Sequence, residues 1–403
     1  MMVFRPGRVA SAGIVRRWAL AALLMLPAAA GWTAPSRPDP DVLLIEVYKD
    51  LAANRLRDAM SKADVLVQAY PNFHLGHLIR GDLLLMQTRP VTSFGAAAGG
   101  SPDKLKDLQL EAMARLKSLR ERPDPDLVPR PILQLRADQK NVLVVDTKRS
   151  RLYLYENHAG QLKLVKDYYV SQGKSGVNKI REGDGKTPLG IYYITGRLAG
   201  ARLPDFYGAG ALPISYPNGW DKMQGRGGSG IWLHGTPSDS FSRPPLASDG
   251  CVVLTNQDLN QLYASVEIRK TPVIISDGVE FVSKSSLAAD RALAATLVEA
   301  WRRDVGQAGP MRAHYSAQFK SEEGENLDTW LGRQQRLLGG APNNSLALRD
   351  VSFFYYPGQN NLIVGTFTQD ALIGKTRHSI RKRQYWAKEG AQWKIVSEAS
   401  WQS

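Results

Sequence analysis

Three periodicities succeed one another along this chain, and the changes between them confine it to a series of separately built domains. Val42, Ile45, Leu51 and Leu56, then Ala59, Ala63, Val67 and Tyr70, recur at helical spacing. Pro71 stops that run, and a second helix is expected from near Phe73. Val91 to Pro102 is rich in glycine, alanine and serine and reads as a loop. Leu105, Leu108, Met113, Leu116 and Leu119 predict one more helix. Pro123, Pro125, Pro129 and Pro131 then form a stiff connector. From Asn141 the texture becomes β-rich. Val142 to Asp146 and Arg151 to Tyr155 predict a hairpin, and Leu164 to Val170, Gly190 to Thr195 and Val273 to Ile275 predict further strands. Near Leu287 it changes again, to a helix carrying Leu293, Leu297, Ala300 and Trp301. Strands follow over 346–356, 361–370, 377–388 and 392–400. The expected architecture is multidomain α+β: helical over 40–135, a mostly-β sandwich over 140–277, and an α+β cone over 286–403.

The first 30 residues have the order of an export signal. Arg5, Arg8, Arg16 and Arg17 precede an apolar run from Trp18 to Leu26, and Pro27 to Ala30 supplies small residues for cleavage. Removal of 1–30 leaves a periplasmic protein of roughly 370 residues, room for two or three domains. With one cysteine it forms no internal disulfide, so burial must hold the fold together. The net charge of +14 suits an anionic partner. Outside the cytoplasm that partner is cell-wall polymer or an anionic lipid surface rather than nucleic acid.

The chemistry concentrates between His234 and Cys251. A thiolate is the nucleophile of cysteine acyl transfer, and an imidazole must take its proton near neutral pH. His234 ends the apolar run Ile231 to Leu233, and the other five histidines lie in the helical region, in a turn or in the C-terminal region. Cys251 is therefore expected as nucleophile and His234 as base. The backbone N–H groups of Gly250 and Cys251 are candidates to face a developing oxyanion. The glycine- and aromatic-rich segment from Leu203 to Asn218 lines or covers the cleft, or is ordinary packing. No second histidine or cysteine stands at ligand spacing near His234, so neither metal nor cofactor is expected.

Three blocks in this region resemble the L,D-transpeptidases with a YkuD catalytic domain, over about residues 140–276. They are Gly173-Lys174 leading to Gly183-Asp184-Gly185-Lys186-Thr187-Pro188-Leu189-Gly190-Ile191-Tyr192, then Gly230-Ile231-Trp232-Leu233-His234-Gly235, and Ser248-Asp249-Gly250-Cys251. The resemblance implies a β-sandwich with Cys251 as nucleophile, His234 as base and the Gly235 carbonyl orienting the imidazole. It implies peptidoglycan stem peptides as substrate, cut between the third-position diamino acid and the terminal D-alanine. An amine or water then resolves the acyl-enzyme. Many members read Ser-His-Gly-Cys-x-Arg, whereas this chain has Asp249 for that histidine and Val253 for that arginine. A carboxylate beside the thiol raises its pKa, and the missing arginine removes a cation. Lys174, Lys186, Lys222 and Arg226 are candidates to supply the charge instead, and Ser248, Asp249, Lys174 and Arg226 are candidates to contact substrate.

Two further resemblances frame this domain. Residues 59–73 and the helix after them resemble one tetratricopeptide hairpin, which cannot bury its face alone and must pack on the next domain or on a second copy in a homodimer. The ending Arg383-Gln384-Tyr385-Trp386-Ala387-Lys388-Glu389-Gly390-Ala391-Gln392-Trp393 is similar to the last hairpin of a nuclear-transport-factor-2-like (NTF2-like) domain. Such a cone often holds a ligand pocket, and Tyr315, Trp330, Tyr385 and Trp386 would line it or form its core. The basic run Arg377 to Arg383 would meet anionic glycan or face solvent. The three-part layout resembles cell-shape carboxypeptidases of helical bacteria, which keeps hydrolysis level with transfer. A non-catalytic wall-binding protein is the alternative from another class.

Overall fold

Asn141–Asp146 is buried along five of its six residues, and it explains how two of the domains are joined. Successive strand residues point to opposite faces. Leu143 and Val145 enter the core of the middle domain, whereas Val142 and Val144 enter a second core shared with the C-terminal region. A run of apolar residues with no polar alternation is what a strand covered on both faces requires. The computed structural model describes residues 37–96, 101–338, 346–373 and 375–402. The expected export segment, 1–30, lies outside the described residues.

The middle domain is a sandwich, as its strands predict. A five-stranded sheet runs in the order Gln161–Tyr169, Arg151–His158, Asn141–Asp146, Pro272–Ser276, Gly190–Tyr193. A four-stranded sheet runs Val252–Val253, Trp232–His234, Gly210–Pro213, Leu198–Ala199. Leu143, Val145, Leu152 and Leu154 of the first share a core with Leu212, Leu233 and Val252 of the second.

The C-terminal cone is a six-stranded sheet in the order Tyr315–Ser321, Gln392–Gln402, Thr376–Glu389, Gln359–Ile373, Leu346–Tyr356, Ile132–Gln134. Alternation again divides its faces. Phe353, Tyr355 and Ile363 pack with Trp301 of the helix Ala288–Asp304 and Trp330 of the helix Leu327–Leu338, while Phe354, Tyr356, Leu362 and Val364 pack on the middle domain.

One expectation changes here. Within residues 128–134, read as connector and end of the helical region, Val128–Pro129 and Ile132–Gln134 are strand. Val128–Pro129 pairs with Phe281–Val282, and Ile132–Gln134 adds to the C-terminal sheet beside Phe353 and Phe354. Of the two readings open for the four aromatics, pocket lining or core, the packing is that of core. Tyr315, Trp330 and Trp386 lie inside the cone and Tyr385 lies in the shared core. The cone interior holds a buried ion pair, Lys382 Nζ to Glu398 at 2.5 Å, with Tyr315 and Gln384 donating to the same carboxylate.

The helices Pro40–Ala52, Leu56–Ala69, His74–Met86 and Pro102–Arg120 form the N-terminal region. Its apolar face is covered within the chain by Phe241, whose ring lies 4.8 Å from those of both Tyr70 and Phe73. Arg115 lies over the Tyr169 ring at 3.9 Å and pairs with Asp41, which also receives Arg151 of the sandwich at 2.6 Å. The two guanidiniums hold the Asp41 carboxyl at about 2 against the opposing effect of burial. The predicted hairpin therefore docks on the next domain.

Candidate active site

Parallel pairing sets the geometry of the site. Trp232–His234 lies beside Val252–Val253 with Leu233 opposite Val252 and His234 opposite Val253. One residue earlier on the second strand, Cys251 falls level with Trp232. The two-residue alternation puts Cys251 on the same side as His234.

His234 is 1% exposed and is fixed through one ring nitrogen: Nδ1 lies 2.7 Å from the Gly235 carbonyl oxygen. A carbonyl only accepts, so Nδ1 carries the hydrogen and Nε2 is left as the basic atom. Burial lowers the imidazole to about 4, against a smaller opposing effect of the Gly235 carbonyl, so it is neutral at physiological pH. Phe206 and Tyr207 pack on the ring with centroids at 5.7 and 5.1 Å, so the aromatic segment after Leu203 does cover the site. Gly235 must lack a side chain, because a Cβ there would lie 2.0 Å from Asn256 Oδ1. Asn256 accepts the Ala209 N–H and donates to the Thr236 carbonyl, both at 2.8 Å, bracing the turn after the histidine.

Cys251 is partly exposed and its thiol lies 3.4 Å from the Gly230 carbonyl oxygen. Burial raises the thiol pKa, and Asp249 raises it further. The Trp232 backbone N–H, Lys179 and Arg243 act in the opposite direction. The resting pair is thus a neutral thiol and a neutral imidazole. A thiol in this state becomes a nucleophile only as its proton leaves.

The turn before Cys251 is held by a chain of bonds. The Gly250 N–H donates to Ser248 Oγ at 3.1 Å, and Ser248 Oγ donates to the Cys251 carbonyl at 2.6 Å. Buried Thr187 donates to the Gly250 carbonyl at 3.0 Å and accepts the Gly173 N–H at 2.9 Å. One hydroxyl thereby links the glycine-rich blocks to the cysteine loop. Gly250 has φ +127, and a Cβ would lie 2.6 Å from the Lys186 carbonyl oxygen. In this arrangement Ser248 Oγ holds the Gly250 N–H, the first of the two oxyanion candidates. The Cys251 N–H keeps that candidacy.

The charged candidates separate. Lys174 Nζ lies 2.7 Å from Asp249, and both side chains are well exposed beside the thiol. Arg226 is not brought to the sulfur. Its guanidinium lies 3.6 Å from the buried carboxylate of Asp221, which accepts the Tyr192 hydroxyl. Lys222 lines a cavity at the domain junction. The cations that do act on Cys251 are Lys179 and Arg243. Lys179 is buried and bonds Asp184 at 2.9 Å. Asp184 also accepts three backbone N–H groups, from Ile180, Arg181 and Lys186. Arg243 lies over the Phe206 ring at 4.4 Å and acts on both Cys251 and His234. Sequence reasoning missed Arg243 and Asn256. The available signal for Arg243 was an arginine in the short loop between the two catalytic candidates, where Val253 leaves the usual cation absent.

The sandwich and this constellation define a domain class. The family model of the YkuD L,D-transpeptidase catalytic domain matches residues 140–275, and that of the Cds6 C-terminal NTF2-like domain matches 295–399. The chain carries an L,D-transpeptidase catalytic domain of the YkuD family followed by an NTF2-like domain. Among curated proteins it is 28% identical to YafK from Escherichia coli over 116 residues, which are 28% of this chain and 42% of that protein. The match thus spans less than half the length of that relative. Among solved structures it is similar to Bdellovibrio bacteriovorus Bd1075, at 28% identity and TM-score 0.59, over 69% of this chain and 99% of that one. The helical cell shape determining protein Pgp2 from Campylobacter jejuni shares the fold at 22% identity and TM-score 0.55, over 70% of this chain and 97% of that one.

Proposed function

We propose that the chain is an extracytoplasmic cysteine acyl-transfer enzyme acting on peptidoglycan stem peptides, cutting the bond between the diamino acid and the terminal D-alanine. The observation that carries this reading is the Nδ1 contact of His234 with Gly235, which leaves Nε2 as a base on the side of the sandwich that holds Cys251. His234 Nε2 takes the thiol proton as sulfur bonds to the carbonyl carbon of the third residue. The carbonyl oxygen becomes an oxyanion facing the Cys251 N–H. Collapse breaks the carbon–nitrogen bond, and the imidazolium returns its proton to the departing D-alanine nitrogen. Water then gives a shortened stem, and an amine gives a new amide bond. Asp249 and Lys174 form a neutral pair at the rim, a place where a substrate's terminal carboxylate can meet the lysine.

The test is incubation of the protein with tetrapeptide muropeptides, with products followed by mass spectrometry and Cys251→Ala as control. Tripeptide without dimer identifies a carboxypeptidase. Cross-linked dimer or D-amino-acid exchange identifies a transpeptidase. No product from either protein overturns the enzyme reading and favours a wall-binding one.

A further inference from the structure

A cavity of about 430 Å³ lies where the sandwich meets the C-terminal sheet, and none of its lining residues belongs to the site around Cys251. The sandwich contributes Tyr193, Lys222 and Arg269. The cone contributes Glu322, Thr366, Arg381 and Arg383. Four cations thus face one carboxylate.

Three buried polar atoms at this cavity lack a hydrogen-bond partner among the described residues: Tyr193 Oη, Thr366 Oγ1 and Glu322 Oε1. Tyr193 is 8% exposed and Thr366 1%. A buried polar group left without a partner costs about 1–3 kcal/mol, so a lining of this kind favours a polar over an apolar occupant. Lys222, Arg269 and Arg381 form no ion pair with any described residue, whereas Arg383 lies over the Tyr193 ring at 5.5 Å and feels Glu322. The carboxylate is held against the backbone, since a Cβ on Gly219 would lie 1.9 Å from Glu322 Oε1. Strand alternation explains the selection. Arg381 and Arg383 share one face of Thr376–Glu389, and Lys382 between them points into the cone to meet Glu398.

We propose that this junction cavity binds a small zwitterionic ligand, the chemistry of a free peptide end. Its carboxylates sit on Arg269, Arg381 and Lys222. Its ammonium donates to Glu322. The unmatched cations call for acidic oxygens, which a peptide carboxylate or a phosphate would supply. The orphaned Glu322 oxygen calls for a donor, which phosphate at neutral pH supplies poorly. The inference goes beyond the proposed reaction and does not depend on it, because the two sites share no residue.

The test is calorimetric titration of the Cys251→Ala protein with three probes: γ-D-glutamyl-diaminopimelate, the same dipeptide acetylated on its amines, and inorganic phosphate. The free dipeptide is expected to bind, and at least tenfold more weakly to Arg269→Ala/Arg381→Ala and to Glu322→Gln. These substituted side chains are exposed or half-buried, and circular dichroism checks that the fold is kept. Binding of the acetylated dipeptide equal to that of the free one overturns the proposal. So does binding of phosphate alone, absence of binding, or binding that none of these substitutions weakens. Muropeptide turnover by the same variants with Cys251 intact is read separately, so failure here leaves the proposed reaction standing.

Discussion

Phe241 sits with its ring 4.8 Å from that of Phe73, and this contact ties the helical region to the loop between His234 and Cys251. The same loop is held at Ser242, whose hydroxyl donates to Glu111 at 2.6 Å, and at Ser238, whose carbonyl accepts from Asn72 at 3.0 Å. Arg243 follows immediately, so the helices hold the segment that carries a cation to the thiol. Phe241→Ala is expected to lower unfolding stability by about 2 kcal/mol, less than for a fully buried phenylalanine. It should also cut turnover of the proposed substrate about tenfold, as Arg243 loses its position. Chemical denaturation and a turnover assay on one preparation measure both. Turnover that is unchanged while stability falls would show that the helices support the fold only.

The lowered His234 imidazole links stability to pH. In the unfolded chain it titrates near 6.5, and in the folded protein near 4. Between those values the unfolded state binds more protons, so stability rises with pH across this window and falls as pH drops through it. The full contribution is about 3 kcal/mol. Denaturation midpoints from pH 4 to 7 should show this slope, and His234→Gln should flatten it. The same substitution should reduce turnover by about a hundredfold or more, the scale of a lost general base.

The thiol is set by opposing charges, and each can be removed singly. Asp249→Asn should lower the pH at which Cys251 becomes reactive toward iodoacetamide. Arg243→Ala and Lys174→Ala should raise it, the first directly and the second by leaving Asp249 without its cation. Arg243→Lys keeps the charge but loses the stack on Phe206, so partial retention is expected. A reactivity profile identical in all four variants would remove Arg243 as the substitute for the cation absent at Val253.

The parts of this site readable in the sequence are those whose chemistry demands a residue type. A single cysteine, a histidine ending an apolar strand and a glycine on each side of the reaction are such cases. The parts that were not readable act through position. Arg226 and Arg243 are both arginines near the motif, and only packing shows that one is held by Asp221 while the other lies over Phe206, where its charge favours the thiolate. Ile132–Gln134 is three residues long among prolines, and its partners lie near residue 354, so no local period announces it. Tyr315 and Trp330 are equally aromatic as a pocket wall or as core. The long strands of the cone were legible because 11 to 15 residues each leave a clear run.

Thr187 provides the sharpest test of the link between the glycine-rich blocks and the cysteine. Its hydroxyl bonds Gly250 and Gly173 together and is fully buried. Thr187→Val keeps the volume but strands a buried carbonyl and a buried N–H, so a loss of about 1–3 kcal/mol is expected. Thr187→Ser keeps the hydroxyl and should recover most of it. Gly250→Ala attacks the same turn sterically, through the Cβ contact with the Lys186 carbonyl and the positive φ. It should cost about 1–3 kcal/mol and more in turnover than in stability, because the displaced backbone carries Cys251, the proposed nucleophile, and its N–H together. If Thr187→Val loses stability while the Cys251 alkylation rate is unchanged, the hydroxyl serves only the fold. If both fall and the serine variant restores both, Thr187 positions the nucleophile.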